Sequence, residues 1–347
     1  MKKIIDLYSD TASLPTLEMK QAMIQAPLGD EQRGLDPTTA KLEEIMAHKL
    51  NKTAAMFFPS ATMCNQIAVK LHTEPGDEVI GYDCSHIFHS EGGAMPFHSL
   101  VQSKMLTSLT GMFSGDDVKK AFREESPYAP KSKLVLVENT VNVRGGICWQ
   151  KEMLDDVIKT SKSLNLKTHL DGARLFNASV AQNIDIAKLA SGFDTVTICF
   201  SKGLAAPTGA ILAFDKEHYK KVRKLKQMFG GAMRQSGMLA AACLYSLENM
   251  VNHLAVDHEN TQILANELSK LPDIVVENIN PQTNILFFSL KQETKLQNFI
   301  NLCQEHKLYL SIFGHNRFRA VLYHNISKAD VLEAVNRIND ILKNIKL

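Results

Sequence analysis

The chain has 347 residues, 45% of them apolar and 22% charged, an ordinary globular composition that excludes disorder as its main state. A formal charge of +2 leaves no electrostatic footprint for a polyanion, and a single Trp supplies no stacking platform, so no nucleic-acid partner is expected. No stretch reaches the roughly 18 apolar residues of a membrane span, and Asp6 and Asp10 interrupt any apolar core of a signal peptide. A cytoplasmic protein with no membrane partner is the expectation.

In chain order, Leu17, Met19, Ala22, Met23 and Ala26 recur near helical spacing after Pro15, which predicts a helix over 16–26. Asp36-Pro37 opens a second helix, with Asp as the N-cap, Pro at the first helical position, and Leu42, Ile45, Met46 and Leu50 as its buried stripe. Short apolar runs then alternate with polar helical stretches, at Ala54–Phe58, Glu78–Tyr82, 134–137, 168–170, Thr195–Cys199 and Ala210–Phe214. Continuous apolar strands between helices predict an α/β fold with a mostly parallel central sheet covered on both faces. In such sheets ligands bind beyond the carboxyl ends of the strands. After about residue 250 the texture changes to a helix over 257–271, a strand over 285–288, a helix near 293–307, short strands near 309–312 and 319–322, and a helix from Ser327 to the end. That pattern divides the chain into a large domain, 1–250, and a small C-terminal α+β domain, 251–347.

Cysteines at 64, 84, 148, 199, 243 and 303 form no C-x-x-C pair, so buried thiols are expected rather than a zinc knuckle or a dithiol motif. His86 and His89 have H-x-x-H spacing, but no metal site is expected from them. The Lys220–Lys226 cluster is taken as a solvated helix face.

The chemistry-bearing residues sit just past the apolar strands. Asp171 follows the 168–170 run; alone it is an ordinary helix N-cap. Lys202 follows the Thr195–Cys199 run and precedes Gly203; alone it is an ordinary surface charge. An Asp and a Lys at the ends of successive strands are what a pyridoxal-phosphate enzyme needs, the Lys as Schiff base and the Asp as partner of the pyridinium nitrogen. A third element, Ser60-Ala61-Thr62, follows the Ala54–Phe58 run and opens a helix whose N–H groups and Thr62 hydroxyl form an anion site.

These residues resemble the threonine aldolase family, within the aspartate-aminotransferase-like (fold type I) pyridoxal-phosphate enzymes. The matching stretches include Asp6-Leu7-Tyr8-Ser9-Asp10-Thr11, Gly34-Leu35-Asp36-Pro37-Thr38, 59–65, Ser85-His86-Ile87, Glu138-Asn139-Thr140, 169–177, 201–207 and 231–235. The resemblance covers the chain to about residue 250, and only loosely beyond. It implies a fold type I large domain and a smaller C-terminal domain, with pyridoxal 5'-phosphate as cofactor. Lys202 is similar to the internal-aldimine lysine, Asp171 to the pyridinium partner, and His86 to the histidine that stacks on the pyridine ring. Arg174 matches the arginine beside the phenolic oxygen and the substrate. Ala61 and Thr62 fall at the phosphate-holding pair, and Arg234 matches a further arginine near the pocket. Ser9 and Arg319 correspond to the grip on the substrate carboxylate, with Arg317 as the alternative. A homotetramer or homodimer with shared active sites is implied, and so is cleavage of L-threonine, L-allo-threonine or a related 3-hydroxy amino acid to glycine and an aldehyde. A β-eliminating lyase or racemase of the same fold, or a non-catalytic paralogue, are the rivals.

Four positions depart from the family pattern. Ala61 and Ala205 stand where the family uses Gly. Arg33 replaces a tyrosine that reaches the neighbouring subunit's phosphate, either as a charged substitute or as a solvated loop residue. Val141 replaces a histidine that is a candidate for acting on the β-hydroxyl; His86 or a water is then expected to act there, and Val141→His to raise threonine cleavage.

Overall fold

A computed structural model describes residues 3–293 and 296–345. Residues 294–295, inside the helix expected near 293–307, and the final two residues of the helix expected to reach the chain end lie outside the described residues.

Residues Ile5–Asp6 form β1, Ala54–Phe58 β2, Glu78–Tyr82 β3, Gln102–Leu106 β4, Ser132–Glu138 β5, Lys167–Gly172 β6, Thr195–Cys199 β7 and Ala210–Phe214 β8. β2 to β8 build one seven-stranded sheet in the order β2-β8-β7-β6-β5-β3-β4. Only β8 runs against its neighbours, so β2, β3, β5, β6 and β7 all end on the same edge. Every residue of β2, β3, β7 and β8 is buried, as continuous apolar runs require. β4 carries no apolar run because it is a largely exposed edge strand, and its composition therefore hid it.

Local chemistry sets the helix starts. Asp36 caps Pro37–Lys49 by accepting from the Thr39 N–H at 2.9 Å, with Pro37 in the first turn. Ser60 caps Ala61–His72 through the Met63 N–H at 3.2 Å. The expected helix over 16–26 is realised as Leu17–Ile24, capped by Thr16.

The C-terminal part adds β9 (Ile274–Val276), β10 (Ile285–Leu290), β11 (Leu308–Tyr309), β12 (Ser311–Ile312) and β13 (Phe318–Val321). An antiparallel sheet ordered β12-β13-β10-β9 packs against helices Leu254–Ser269 and Lys328–Asn344, which share its apolar cluster. The first strand belongs to this cluster, not to the large core. β1 pairs in parallel with β11, and Ile5 and Leu7 pack among Leu286, Phe318 and Leu308. A two-residue strand with a partner 303 positions away leaves no local periodicity to detect. Among the cysteines only Cys84 is not buried.

Candidate active site

The shared strand edge gathers a cleft lined by His86, Glu138, Thr140, Asn142, Asp171, Ala173, Arg174 and Lys202. Asp171 closes β6, and its two oxygens accept from the Asn65 side chain at 3.0 Å and the Ala173 N–H at 3.1 Å. Lys202 follows β7, in a turn whose carbonyl accepts from the Ser13 hydroxyl at 2.6 Å. His86 opens a short helix after β3. Its own N–H donates to Glu138 Oε2 at 2.6 Å, and its Nδ1 meets Glu91 Oε1 at 2.9 Å. Burial lowers the His86 pKa, but the Glu91 bond and the charge of Asp171 outweigh it and raise the ring above its ordinary value.

Arg174 is buried and forked onto Asp10, at 2.7 Å from Nε and 2.6 Å from Nη2. Burial alone would raise the Asp10 carboxyl; the guanidinium overrides it and holds it at about 2. Glu138 is the counter-case. Burial, then the charge of Asp171, raises its carboxyl, while the His86 and Asn142 N–H groups oppose the shift. The Asn142 bond measures 2.8 Å.

Ser9 and Arg319 stand beside this cleft. Ser9 is buried next to Asp10, its hydroxyl 3.4 Å from Asp10 Oδ1. Arg319 lies on β13 and donates to Asn142 Oδ1 at 2.7 Å, the Tyr8 carbonyl at 3.2 Å and the Ser311 hydroxyl at 3.3 Å. Its Nε is buried without a partner, and burial, then the charge of Arg174, lowers its pKa to about 10. Arg317 is committed elsewhere, forked onto Glu277 at 2.5 and 2.8 Å. Ala61 and Thr62 form the first turn of helix Ala61–His72 beyond β2, on the same edge. Ala61 keeps right-handed backbone, whereas Ala205 takes φ +62°, a conformation its glycine counterpart adopts without strain.

Arg33 and Arg234 are not brought to the cleft. Both are exposed; the Glu31 N–H donates to the Arg234 carbonyl at 2.8 Å, the Arg234 side chain lies 3.7 Å from Asp30, and Gly231, three residues earlier, packs on Met63 beside Thr62. Val141 is also placed differently from expectation. Its side chain is fully buried in the large core and crowds Gly111, while its neighbours Thr140 and Asn142 line the cleft. His89 takes no part in the cluster of potential ligand atoms. His86, Glu91 and Asp171 do lie within 4.8 Å of one another, and their atoms are engaged in the hydrogen bonds just described. Asp10, Glu91, Glu138 and Asn65 were missed as site residues. Asp10, Asn65 and Glu138 lie inside the quoted motifs, but only the fold shows what they face.

Buried polar atoms without partners cluster here: Ser85 Oγ, Thr140 Oγ1, Thr197 Oγ1 and Arg319 Nε. Thr197 pairs in register with Asp171 on the adjacent strand. Unsatisfied buried polar groups are costly, so such a concentration fits a site built for a polar ligand.

Residues 6–291 match the beta-eliminating lyase family. The chain belongs to that family. It is 35% identical over 333 residues to low-specificity L-threonine aldolase 1 of Arabidopsis thaliana, covering 94% of this chain and 93% of that one. It is 36% identical over 291 residues to the low specificity L-threonine aldolase of Escherichia coli O157:H7, covering 84% and 86%. The solved threonine aldolase of Leishmania major superposes with a TM-score of 0.81 at 20% identity, covering 97% of this chain and 99% of that one. Among the described residues no helix is long and apolar enough to cross a membrane.

Proposed function

We propose that this family member is a pyridoxal 5'-phosphate-dependent aldolase that cleaves L-threonine, L-allo-threonine or a related L-3-hydroxy amino acid to glycine and an aldehyde. The observation that carries the reading is the meeting of Asp171, Lys202, His86 and Arg174 at one strand edge, with Arg319 beside them. Names and coverage of the relatives support it.

The bound cofactor supplies an electron sink for the bond that breaks. Lys202 is the residue that carries it, and Asp171, a carboxylate fixed on both oxygens, keeps its ring nitrogen protonated. The first turn of helix Ala61–His72 offers N–H groups and the Thr62 hydroxyl to the phosphate. Arg319, with no carboxylate partner among the described residues, takes the substrate carboxylate, and Ser9 beside Asp10 supports that grip. Holding the carboxylate would fix the orientation of the substrate in the cleft, and so would select which of its bonds is broken. Arg174 is held in place by Asp10 beside substrate and cofactor. His86, braced by Glu91, faces the cleft as the group that moves the β-hydroxyl proton. The protein acts in the cytoplasm as a homotetramer or homodimer with shared sites, and exposed Arg33 serves the neighbouring subunit's phosphate while Arg234 stands near the cofactor pocket; the exposure of both side chains supports that reading.

The test is incubation of the holoenzyme with threonine, allo-threonine, phenylserine, serine and cysteine, with products identified by mass. Glycine and an aldehyde are expected. Keto acid with ammonia, or an inverted amino acid, would overturn the reading in favour of elimination or racemisation. Borohydride reduction is expected to fix the cofactor on Lys202, and an adduct on another lysine removes that role.

A further inference from the structure

Behind Asp171 runs a line of buried polar side chains that no step above uses. Asn65 and His72 lie seven residues apart on one face of helix Ala61–His72, and His169 and Asp171 lie two apart on one face of β6. Thr195 of β7 pairs in register with His169. The contacts are continuous. His72 Nε2 lies 3.2 Å from Thr195 Oγ1, and Thr195 Oγ1 lies 2.8 Å from His169 Nδ1. His169 Nε2 lies 3.1 Å from Asn65 Oδ1, and Asn65 Nδ2 donates to Asp171 Oδ2 at 3.0 Å and to Glu91 Oε1 at 2.9 Å. Glu91 Oε1 is the atom that meets His86 Nδ1.

The chemistry of each group fixes the direction of the whole chain. Carboxylate oxygens accept, so the Asn65 amide must turn its NH₂ toward Asp171 and Glu91 and its carbonyl toward His169. His169 must then carry its proton on Nε2, and its Nδ1 must accept from the Thr195 hydroxyl. Thr195 oxygen in turn accepts from the Nε2–H of His72. This requires uncharged rings, and burial supplies them: it lowers His169 to about 4 and His72 to about 3. Asn65 thereby commits both amide hydrogens and its carbonyl oxygen to named partners, which packing alone would not require.

We infer that Asn65, oriented by His169, is a positioning residue that aims the Asp171 carboxylate at the cofactor's ring nitrogen and ties it to the His86–Glu91 pair. The aiming at a cofactor rests on the function proposed above; the tie between Asp171 and His86 does not. Around His86 the charged groups are Glu91, Asp171, Glu138 and Lys202, and only the first two share the Asn65 amide.

The test uses the full chain, with and without pyridoxal phosphate, in four forms: wild type, Asn65→Ala, His169→Gln and His169→Leu. Solid-state ¹⁵N NMR of histidine-labelled protein reads the ring tautomers, and is expected to find His169 neutral with its proton on Nε2 at pH 7. A proton on Nδ1, or a charged ring, overturns the inference. Gln places an N–H where His169 has Nε2, so His169→Gln is expected to keep the cofactor dissociation constant and the pH midpoint of its visible band near wild type. His169→Leu and Asn65→Ala are expected to weaken cofactor binding about tenfold, the scale of one charge-assisted hydrogen bond, and to move that midpoint. Equal behaviour of the Gln and Leu variants overturns the inference. Should His169→Leu not fold, Asn65→Ala against wild type carries the same comparison. Should the wild type take up no pyridoxal phosphate, the proposed function falls. The titration of His86 is then compared between wild type and Asn65→Ala without cofactor: a shifted midpoint upholds the tie, and an unmoved one overturns it.

Discussion

Replacing Arg319 with Ala measures how much of the substrate grip one buried guanidinium supplies. Arg319 is 6% exposed, and its hydrogen bonds go to an amide, a carbonyl and a hydroxyl, with no ion pair to a carboxylate among the described residues. Burial, then repulsion from Arg174, brings its pKa from 12.5 to about 10. A substrate carboxylate supplies the counter-charge, and truncating one partner of a buried, hydrogen-bonded charge pair costs roughly 2–5 kcal/mol, here taken as about 3 kcal/mol. Such an energy corresponds to about a hundredfold in affinity. Arg319→Ala should therefore raise KM for threonine about a hundredfold while cofactor absorbance at saturation stays at its wild-type value. Arg317→Ala should leave KM within about twofold, because Arg317 is already forked onto Glu277 and donates to the Val143 carbonyl at 3.1 Å. Steady-state kinetics on both variants, with cofactor content measured alongside, decide the matter. An unchanged KM in Arg319→Ala together with a large rise in Arg317→Ala would refute the reasoning.

Val141→His should not speed threonine cleavage, because the side chain at 141 packs in the core beside Gly111. It should cost roughly 2–5 kcal/mol through overpacking and a buried imidazole, read from denaturant melts, and a several-fold gain in kcat at undiminished stability would contradict that placement. Acid should destabilise the fold through His169. Its folded pKa of about 4 lies below the ordinary 6.5, so the unfolded chain takes up a proton that the native state refuses, and roughly 3 kcal/mol is lost as pH falls from about 6.5 to 4. His169→Gln should flatten that part of the stability–pH curve, and an unchanged slope would show that the ring is not held neutral. Asp10 acts lower on the scale. Its stabilisation is complete above about 4 and disappears as pH falls toward 2, so Asp10→Asn should cost stability at pH 7 and little at pH 2.

The large sheet was legible because most of its strands are buried on both faces and carry short, mainly apolar runs; the exposed edge strand Gln102–Leu106 carries none and went unseen. Asp171 and Lys202 were legible for a topological reason, since each directly follows such a run. Arg174 was found through motif likeness, but its partner Asp10 was not, because 164 residues separate the two and no local pattern couples them. The same limit explains Val141. A one-letter comparison places it where a histidine belongs, whereas side-chain direction depends on the loop between Glu138 and Gly145, which the sequence does not specify.

The first fourteen residues join the strand edge of the seven-stranded sheet to the C-terminal strands. β1 pairs with β11, the Leu7 carbonyl accepts from the Val321 N–H of β13 at 2.9 Å, and Leu14 joins His324 and Asn325 through its carbonyl and N–H, each at 2.8 Å, so the segment is anchored to the C-terminal part of the chain. Between those anchors the Tyr8 carbonyl accepts from Arg319, Asp10 holds Arg174, and Ser13 holds the Lys202 carbonyl. A single short stretch thus touches the residue proposed to carry the cofactor and both arginines placed around the substrate. Displacement of the smaller antiparallel sheet relative to the seven-stranded one would strain these bonds. Because Asp10 and Arg174 are buried and mutually neutralised, separating them would expose two uncompensated charges to low dielectric, which is strongly unfavourable. The Asp10–Arg174 fork therefore resists such movement, while the Arg319 contacts, made to a carbonyl, an amide and a hydroxyl, are weaker and can exchange for a substrate carboxylate. Rigidity at Arg174 and exchangeability at Arg319 follow from the partners the fold gives to each.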